Sequence, residues 1–368
     1  MIYLDHGATS MEKPAEVARA VHWAINACGN PSRGGYAPSL LGAKIVYGCR
    51  ERASELFGCL PEQVVFTSNC THGLNIAIRS ILNPGDTAVI SGFEHNAVTR
   101  PLHLLGVRTV VAGRKLFDPL DTLMHFETAL KAGANAAIFT HVSNAFGYIL
   151  PIKEMAKLCQ KYGVPFVIDA AQSAGILPIN LRELDADFIA MPGHKGLLGP
   201  QGTGVLLCNR SPKPLLAGGT GSESQNQNMP EDLPDRAEAG TLNVPGIAGL
   251  SAGISHILVQ GTDRIFAREE RQMRRCALGL QNIGITVFTG QSQSGTISFV
   301  PEADCQEFSD ALAARGIAVR GGLHCAPLAH ESTGTLDTGT VRVSFGHNAD
   351  DRQTDVFLRE VRKLVREQ

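Results

Sequence analysis

One-signed charge, long apolar runs and paired cysteine motifs are all missing from this 368-residue chain. Charged residues make up 18%, below the ~25% of an average soluble domain. The 33 Lys and Arg against 35 Asp and Glu leave a formal net charge of −2. That balance carries no electrostatic footprint for nucleic acid, so no nucleic-acid partner is expected. No apolar run reaches the ~18 residues of a membrane span. The opening MIYLDHGATS has no basic stretch followed by an apolar one, so neither a membrane segment nor a secretory leader is expected. The nine cysteines (28, 49, 59, 70, 159, 208, 276, 305 and 325) are odd in number, irregularly spaced and nowhere arranged as C-x-x-C. Free thiols in a reducing cytoplasm are the natural reading.

What is present is an ample apolar fraction, 43%, with 39 glycines. This is the balance of a large, well-buried, loop-rich globular protein rather than a disordered or fibrous one. After Pro14, the residues Val17, Val21, Ile25 and Cys28 recur at helical spacing, as do Leu41, Ile45, Cys49, Ala53 and Leu56. Pro151 opens a further helix that Gly163 ends. Between the helices lie short apolar runs at Val64–Thr67, Ala88–Ser91, Thr109–Ala112, Ala136–Thr140, Phe166–Asp169, Phe188–Met191 and Val205–Cys208. Most lack polar alternation, which suits strands covered on both faces. Strands alternating with helices give an α/β fold with a mainly parallel seven-stranded sheet. A polar, Gly- and Pro-rich stretch at 210–246 is too long for an idle connection. Beyond it, a helical stretch over about 248–282, strands at Thr296–Val300, Ala318–Arg320 and Val341–Phe345, and helices near 305–315 and from about 350 predict a smaller α+β lobe.

Four features fall at the C-terminal ends of these strands, the edge where parallel sheets bind ligands. Asp169 ends a buried strand and needs a partner, as an N-cap, in an ion pair or at a ligand. Lys195, in Met191-Pro192-Gly193-His194-Lys195-Gly196, is either a solvated loop lysine or one that forms a Schiff base. Thr67-Ser68-Asn69-Cys70-Thr71-His72-Gly73 runs from a strand into a helix whose N-terminus favours an anion such as phosphate. His95, in Glu94-His95-Asn96, is either structural or stacks on a planar ligand and moves protons. Together they match what pyridoxal phosphate needs: a lysine for its aldehyde, an acid for its pyridine nitrogen and a phosphate cradle. A carboxylate about 4 Å from that nitrogen is worth about 4 kcal/mol at an effective dielectric of about 20, enough to keep the ring protonated near neutrality.

With these residues in view, the chain resembles the cysteine desulfurases and selenocysteine lyases of the class V aminotransferase fold. The likeness runs in order through Tyr3-Leu4-Asp5-His6-Gly7-Ala8-Thr9, Gly29-Asn30-Pro31-Ser32-Arg33-Gly34, Thr71-His72-Gly73-Leu74-Asn75, Glu94-His95-Asn96-Ala97, Thr140-His141-Val142-Ser143-Asn144, Asp169-Ala170-Ala171-Gln172, Gly193-His194-Lys195, Gly240-Thr241, Arg320-Gly321-Gly322-Leu323-His324-Cys325-Ala326 and Val341-Arg342-Val343-Ser344. It implies the fold type I of pyridoxal-phosphate-dependent transferases. Residues 16–255 would form the large cofactor-binding domain, and 1–15 with 256–368 a small domain carrying the catalytic-cysteine loop.

The resemblance also implies roles. Lys195 would join the cofactor aldehyde and move the substrate's α-proton. Asp169 would face the pyridine nitrogen and His95 the ring face. Gln172 and Asn144 would contact the phenolate oxygen or the substrate. Thr71, the backbone N–H of His72, and His194 would hold the phosphate, with Thr241 contributed by the other subunit of a homodimer. Ala8, Asn144 and Arg342 would bind the substrate, Arg342 clamping its carboxylate. Two departures stand out. Pro192 replaces a serine usual in the family and offers neither hydroxyl nor N–H, and His72 replaces a residue that is usually acidic.

Cys325 separates the subfamilies. By residue type it is a buried structural thiol, a zinc ligand with His324 and His330, or a nucleophile. The resemblance, with His before the cysteine and Ala after it on a short loop as in the SufS-like group, implies the nucleophile. A free thiol is only a few per cent thiolate at pH 7, so a nearby cation or histidine, such as His324 or the cofactor adduct, would have to activate it. The implied reaction converts L-cysteine to L-alanine, leaving a persulfide on Cys325 for an unidentified acceptor protein, with no metal. A selenocysteine lyase and a class V aminotransferase are the alternatives.

Overall fold

The computed structural model describes residues 1–31 and 34–367. Ser32 and Arg33 of the Gly29–Gly34 motif, and Gln368, lie outside the described residues. The chain opens with strand β1 (Ile2–Tyr3) and helices α1 (Ala15–Ala27) and α2 (Ala37–Phe57). There follow β2 (Val64–Thr67), α3 (Cys70–Ile81), β3 (Thr87–Ile90), α4 (Asn96–Leu104), β4 (Arg108–Val111), α5 (Pro119–Lys131), β5 (Ala136–Thr140), α6 (Ile152–Tyr162), β6 (Phe166–Asp169), α7 (Leu181–Leu184), β7 (Phe188–Pro192) and β8 (Gly204–Cys208). After a long irregular segment come α8 (Val244–Gln260), α9 (Thr262–Gln281), β9 (Thr286–Phe288), β10 (Thr296–Val300), α10 (Cys305–Ala314), β11 (Ile317–Ala318), β12 (Arg320–Gly322), α11 (Pro327–Thr333), β13 (Thr340–Ser344) and α12 (Asp351–Glu367).

Seven strands form one sheet in the order β2-β8-β7-β6-β5-β3-β4. Only β8 runs against its neighbours, so the sheet is mainly parallel, as its apolar runs predict. Helices cover both faces, and β5, β6, β7 and β8 are buried along their whole length. Consecutive residues of β6 therefore serve opposite cores: Val167 packs with Leu74 and Ile138, Ile168 with Phe139 and Met191, as a two-residue period requires. β4 departs from the expectation of double cover. It is the edge strand, and Arg108, Thr109 and Val110 are exposed.

The smaller lobe has a four-stranded antiparallel sheet, β12-β13-β10-β9, and the parallel pair β1-β11. Its core joins Leu4 to Met273, Phe299, Phe308 and Phe357. Glycines end α2 and α6 where expected from local chemistry: Gly58 and Gly163 adopt φ of 60° and 63°, a left-handed turn that other residues resist. The helical stretch expected over about 248–282 divides into α8 and α9, which meet at 83°. The break is at Gly261, with φ 82°, a conformation that no right-handed helix continues through. The strand expected at Ala318–Arg320 is likewise divided. Ile317–Ala318 pairs with β1, and Arg320–Gly322 with β13. No single helix among the described residues is long and apolar enough to cross a membrane.

The irregular segment after β8 is tied down by one buried ion pair. Arg50 of α2 donates from Nη1 and Nη2 to Glu238, at 2.9 and 2.5 Å, and the Phe66 N–H of β2 donates to the same carboxylate at 2.6 Å. Both side chains are buried. Removing one partner strands the other charge at a cost of about 3–5 kcal/mol. Glu238→Ala is expected to lower the unfolding free energy by about that amount in a denaturant titration; an unchanged midpoint would show that the pair does not hold the segment.

Glu269 of α9 is buried and makes no hydrogen bond among the described residues. Burial pushes its carboxyl up to about 8, against the pull of Arg268. A carboxyl raised by folding stabilises the fold while protonated; that contribution is full below its ordinary value of 4.5 and is lost as the pH rises through about 8. Glu269→Gln stays neutral at every pH. Its melting temperature is expected to gain on the wild type between about pH 5 and pH 8 and to hold that lead above. A constant difference across this range would show that Glu269 ionises as it does in water.

Candidate active site

β2 runs parallel to β7 across the antiparallel β8, so β2, β3, β5, β6 and β7 end at one edge of the sheet. The register aligns Thr140 with Asp169 and Asp169 with Ala190, and Lys195 follows three residues after Pro192 closes β7. At this edge a cavity of about 110 Å3 is lined by Thr71, His95, Asn144, Asp169, Gln172, His194 and Lys195, with Cys70 and Pro192.

Each group is held by its element. Asp169 is 2% exposed; its Oδ1 accepts the Ala171 N–H at 2.9 Å and the Cys70 thiol at 3.4 Å. Burial pushes this carboxyl above the usual carboxylate range, while the Ala171 N–H and the Lys195 charge draw it down. Lys195 makes no side-chain hydrogen bond among the described residues. Burial and the nearby Arg342 charge lower its pKa, which favours the unprotonated amine. His95 caps α4: its Nδ1 accepts the Ala97 N–H at 3.0 Å, which leaves the proton on Nε2. Burial, then the Lys195 and Arg342 charges, lower it to about 4, so the ring is neutral. Asn144 donates from Nδ2 to the His324 carbonyl at 2.7 Å, while its Oδ1 is buried without a partner. Gln172 donates to the Gly7 carbonyl at 2.9 Å. Thr71 lies in the first turn of α3, where the helix dipole favours an anion.

Several expected residues sit otherwise. The His72 N–H is taken by the N-cap Asn69, whose Oδ1 accepts it at 2.8 Å, so it is not a free phosphate donor. Its ring turns back to Ser68. His72 and Thr241 line a neighbouring cavity of about 210 Å3, and Thr241 is exposed. The His194 ring faces Thr9, 3.0 Å from its hydroxyl. Arg342 is 2% exposed; it pairs with Asp5 at 2.5 Å and donates to the Asn144 carbonyl at 3.0 Å. The Ala8 N–H closes a turn onto the Asp5 carbonyl.

Cys325 is exposed, on the loop between β12 and α11. Its carbonyl accepts the Asn96 N–H at 2.8 Å, which places the loop over His95. His324 and Cys325 both have positive φ, 52° and 56°, sparsely populated for such residues. His324 is buried, with Nε2 3.1 Å from the Thr340 hydroxyl, and burial with the Arg342 charge lowers it to about 2. It is therefore neutral and turned inward, so any part it plays beside Cys325 is not that of a cation. Its ring lies 5.5 Å from that of His330, and no group of three His, Cys, Asp or Glu among the described residues could hold a metal.

Sequence reasoning missed three groups here. Glu94 is fully buried and accepts from the Ser91 hydroxyl and the Thr140 N–H, linking β3 to β5. Cys70 donates to Asp169, and Asp5 pairs with Arg342. All three lie inside or beside the quoted motifs, but a residue's neighbour across the sheet is not visible from its neighbour along the chain.

The residues present fit pyridoxal phosphate. A buried carboxylate, an amine of lowered pKa, a neutral ring, a buried orphan amide oxygen and a helix N-terminus surround one cavity, and each suits a different part of that molecule.

Comparison with known proteins agrees with this site. The aminotransferase class-V family model matches residues 2–357. A probable cysteine desulfurase of Pyrococcus abyssi is 31% identical, over 100% of this chain and 94% of its own. One from Methanothermobacter thermautotrophicus is 32% identical, over 93% and 89%. The apo cysteine desulfurase structure of Thermococcus onnurineus NA1 superposes with a TM-score of 0.91 at 31% identity, covering 100% of this chain and 95% of that one. The cysteine desulfurase CsdA of Escherichia coli gives 0.87 at 25%, covering 99% and 94%. With a family match over nearly its whole length and relatives spanning it end to end, the chain belongs to the class-V aminotransferase family.

Proposed function

We propose that this protein is a pyridoxal-phosphate-dependent cysteine desulfurase that converts L-cysteine to L-alanine and keeps the sulfur on Cys325. The observation that carries the reading is an exposed cysteine on a loop anchored to Asn96 and to Asn144, the latter a wall of the cavity that Lys195 and Asp169 also line. The same reading takes 16–255 as the cofactor-binding domain and 1–15 with 256–368 as the small domain. It also takes the enzyme as a homodimer in which the exposed Thr241 reaches the other subunit's phosphate site. Nine free thiols support a cytoplasmic home.

Pyridoxal phosphate, when bound, supplies an electron-withdrawing ring for the substrate's α-carbon. Lys195 Nζ would hold the cofactor's aldehyde and would be the base for the substrate's α-proton; its depressed pKa favours the free amine that this needs. The Asp169 carboxylate would keep a proton on the cofactor's ring nitrogen, and the neutral His95 side chain would pack against the ring. Asn144 Oδ1 accepts from the substrate or cofactor, which satisfies its lone pairs. Arg342 binds the substrate carboxylate. The Cys325 thiolate attacks the substrate sulfur: a sulfur–sulfur bond forms, the carbon–sulfur bond breaks, and its electron pair stays with the carbon fragment that is protonated to alanine. An exposed Cys325 then presents the persulfide to an acceptor.

The test is the holoenzyme with cysteine. Alanine should appear, and mass spectrometry should find one added sulfur on Cys325. Lys195→Ala should lower alanine formation by at least about a thousandfold. Cys325→Ser should keep the cofactor's visible absorbance yet pass no sulfur to an added thiol. Full sulfur transfer by Cys325→Ser would refute the persulfide route, and full activity of Lys195→Ala would refute the whole reading.

A further inference from the structure

Arg342 is closed off by a residue of this chain. Its Nη2 donates to Asp5 Oδ1 at 2.5 Å and its Nη1 to the Asn144 carbonyl at 3.0 Å, while its Nε has no acceptor among the described residues. The arginine side chain is 2% exposed but the aspartate is 19% exposed. A buried guanidinium needs an anion beside it, and here a side chain supplies one.

The surroundings show which part of this contact can move. The Asp5 main chain is fixed. It bridges to Ser344, and its carbonyl accepts the Ala8 N–H at 3.0 Å and the Tyr3 hydroxyl at 3.1 Å. Gly7 donates to Ser344 Oγ at 2.7 Å and lies so close that a Cβ there would come 3.1 Å from Arg342 Cζ. The loop is pressed against the guanidinium, and the Asp5 carboxylate is the partly exposed member of the pair. The arginine's charge meanwhile reaches the cavity, since Lys195 and His95 both feel it.

We infer that Asp5 is a specificity-determining residue, an internal carboxylate that occupies the Arg342 fork until the carboxylate of an amino-acid substrate displaces it. This rests on the reading that Arg342 binds that carboxylate. Two carboxylates on one guanidinium repel each other, so Asp5 weakens binding of every ligand that must take the fork. It leaves amines without a carboxylate untouched. Asp5 thereby holds Arg342 charged and in place between turnovers, and limits how tightly alanine, which carries the same carboxylate as cysteine, is retained.

Asp5→Asn tests this, because it keeps an acceptor oxygen for Arg342 and removes only the charge. Binding of L-alanine and of ethylamine, its counterpart without the carboxylate, is measured by calorimetry on the holoenzyme, along with KM and kcat for cysteine. The variant is expected to bind L-alanine about tenfold more tightly, to bind ethylamine as the wild type does, and to show a lower KM. The smaller Asp5→Ser, which also removes the charge, should move alanine binding in the same direction and serves if Asp5→Asn does not fold. Alanine binding that is unchanged or weaker in the folded variant would overturn the proposal, because Asp5 would then only brace Arg342. A wild type that makes alanine from cysteine while its variants bind alanine no better refutes the competition alone. A wild type that makes no alanine from cysteine refutes the underlying reading too.

Discussion

The register of three parallel strands sets the position of everything at the site. β5, β6 and β7 align Thr140, Asp169 and Ala190 in one row. Because side chains alternate between faces, a slip of one residue would turn Asp169 away from Cys70 and towards the opposite apolar core. The cost of an unpaired carboxylate in that core makes the slip prohibitive. Hydrophobic cores on both faces of the sheet therefore do more than stabilise it. They hold a charged group at one end of β6 within reach of a lysine delivered by the end of β7.

Within that frame the charges are few and opposed. Lys195 and Arg342 face Asp169 and Asp5, while the histidines around them (His95, His194 and His324) are held neutral by burial. A neutral ring at His95 suits a planar partner better than a cation would, since a third positive charge beside Lys195 and Arg342 would add repulsion. One thiol stands outside this interior. Cys325 is exposed on a strained turn whose carbonyl groups, those of His324 and Cys325, are bound by Asn144 and Asn96. The exposed sulfur is thus tied by two hydrogen bonds to the buried edge, one of them from Asn144 of the cavity that Lys195 lines.

Much of this arrangement is legible along the chain. The buried strands are unbroken apolar runs, and their C-terminal ends carry Asp169, His95 and Lys195 as the motifs suggest. What escapes the linear reading are facts of the third dimension. The break between α8 and α9 depends on the φ of a single glycine, Gly261, in a stretch whose residues are helical on both sides. The His72 N–H is lost to phosphate because Asn69, three residues earlier, caps the same helix. The inward turn of His324 depends on Thr340 from another strand, and the partner of Arg342 lies 337 positions away.

The first strand has a consequence of timing. Ile2 and Tyr3 pair with Ile317 and Ala318, so the opening residues emerge from the ribosome some 315 positions before their partners. At roughly 5–20 residues per second that interval is on the order of 15–60 s. During it the large sheet has time to form and to offer Gln172 and His194 to Gly7 and Thr9, but Asp5 still lacks its arginine, 337 positions on. The Asp5–Arg342 contact thus closes late, only once β13 has been made.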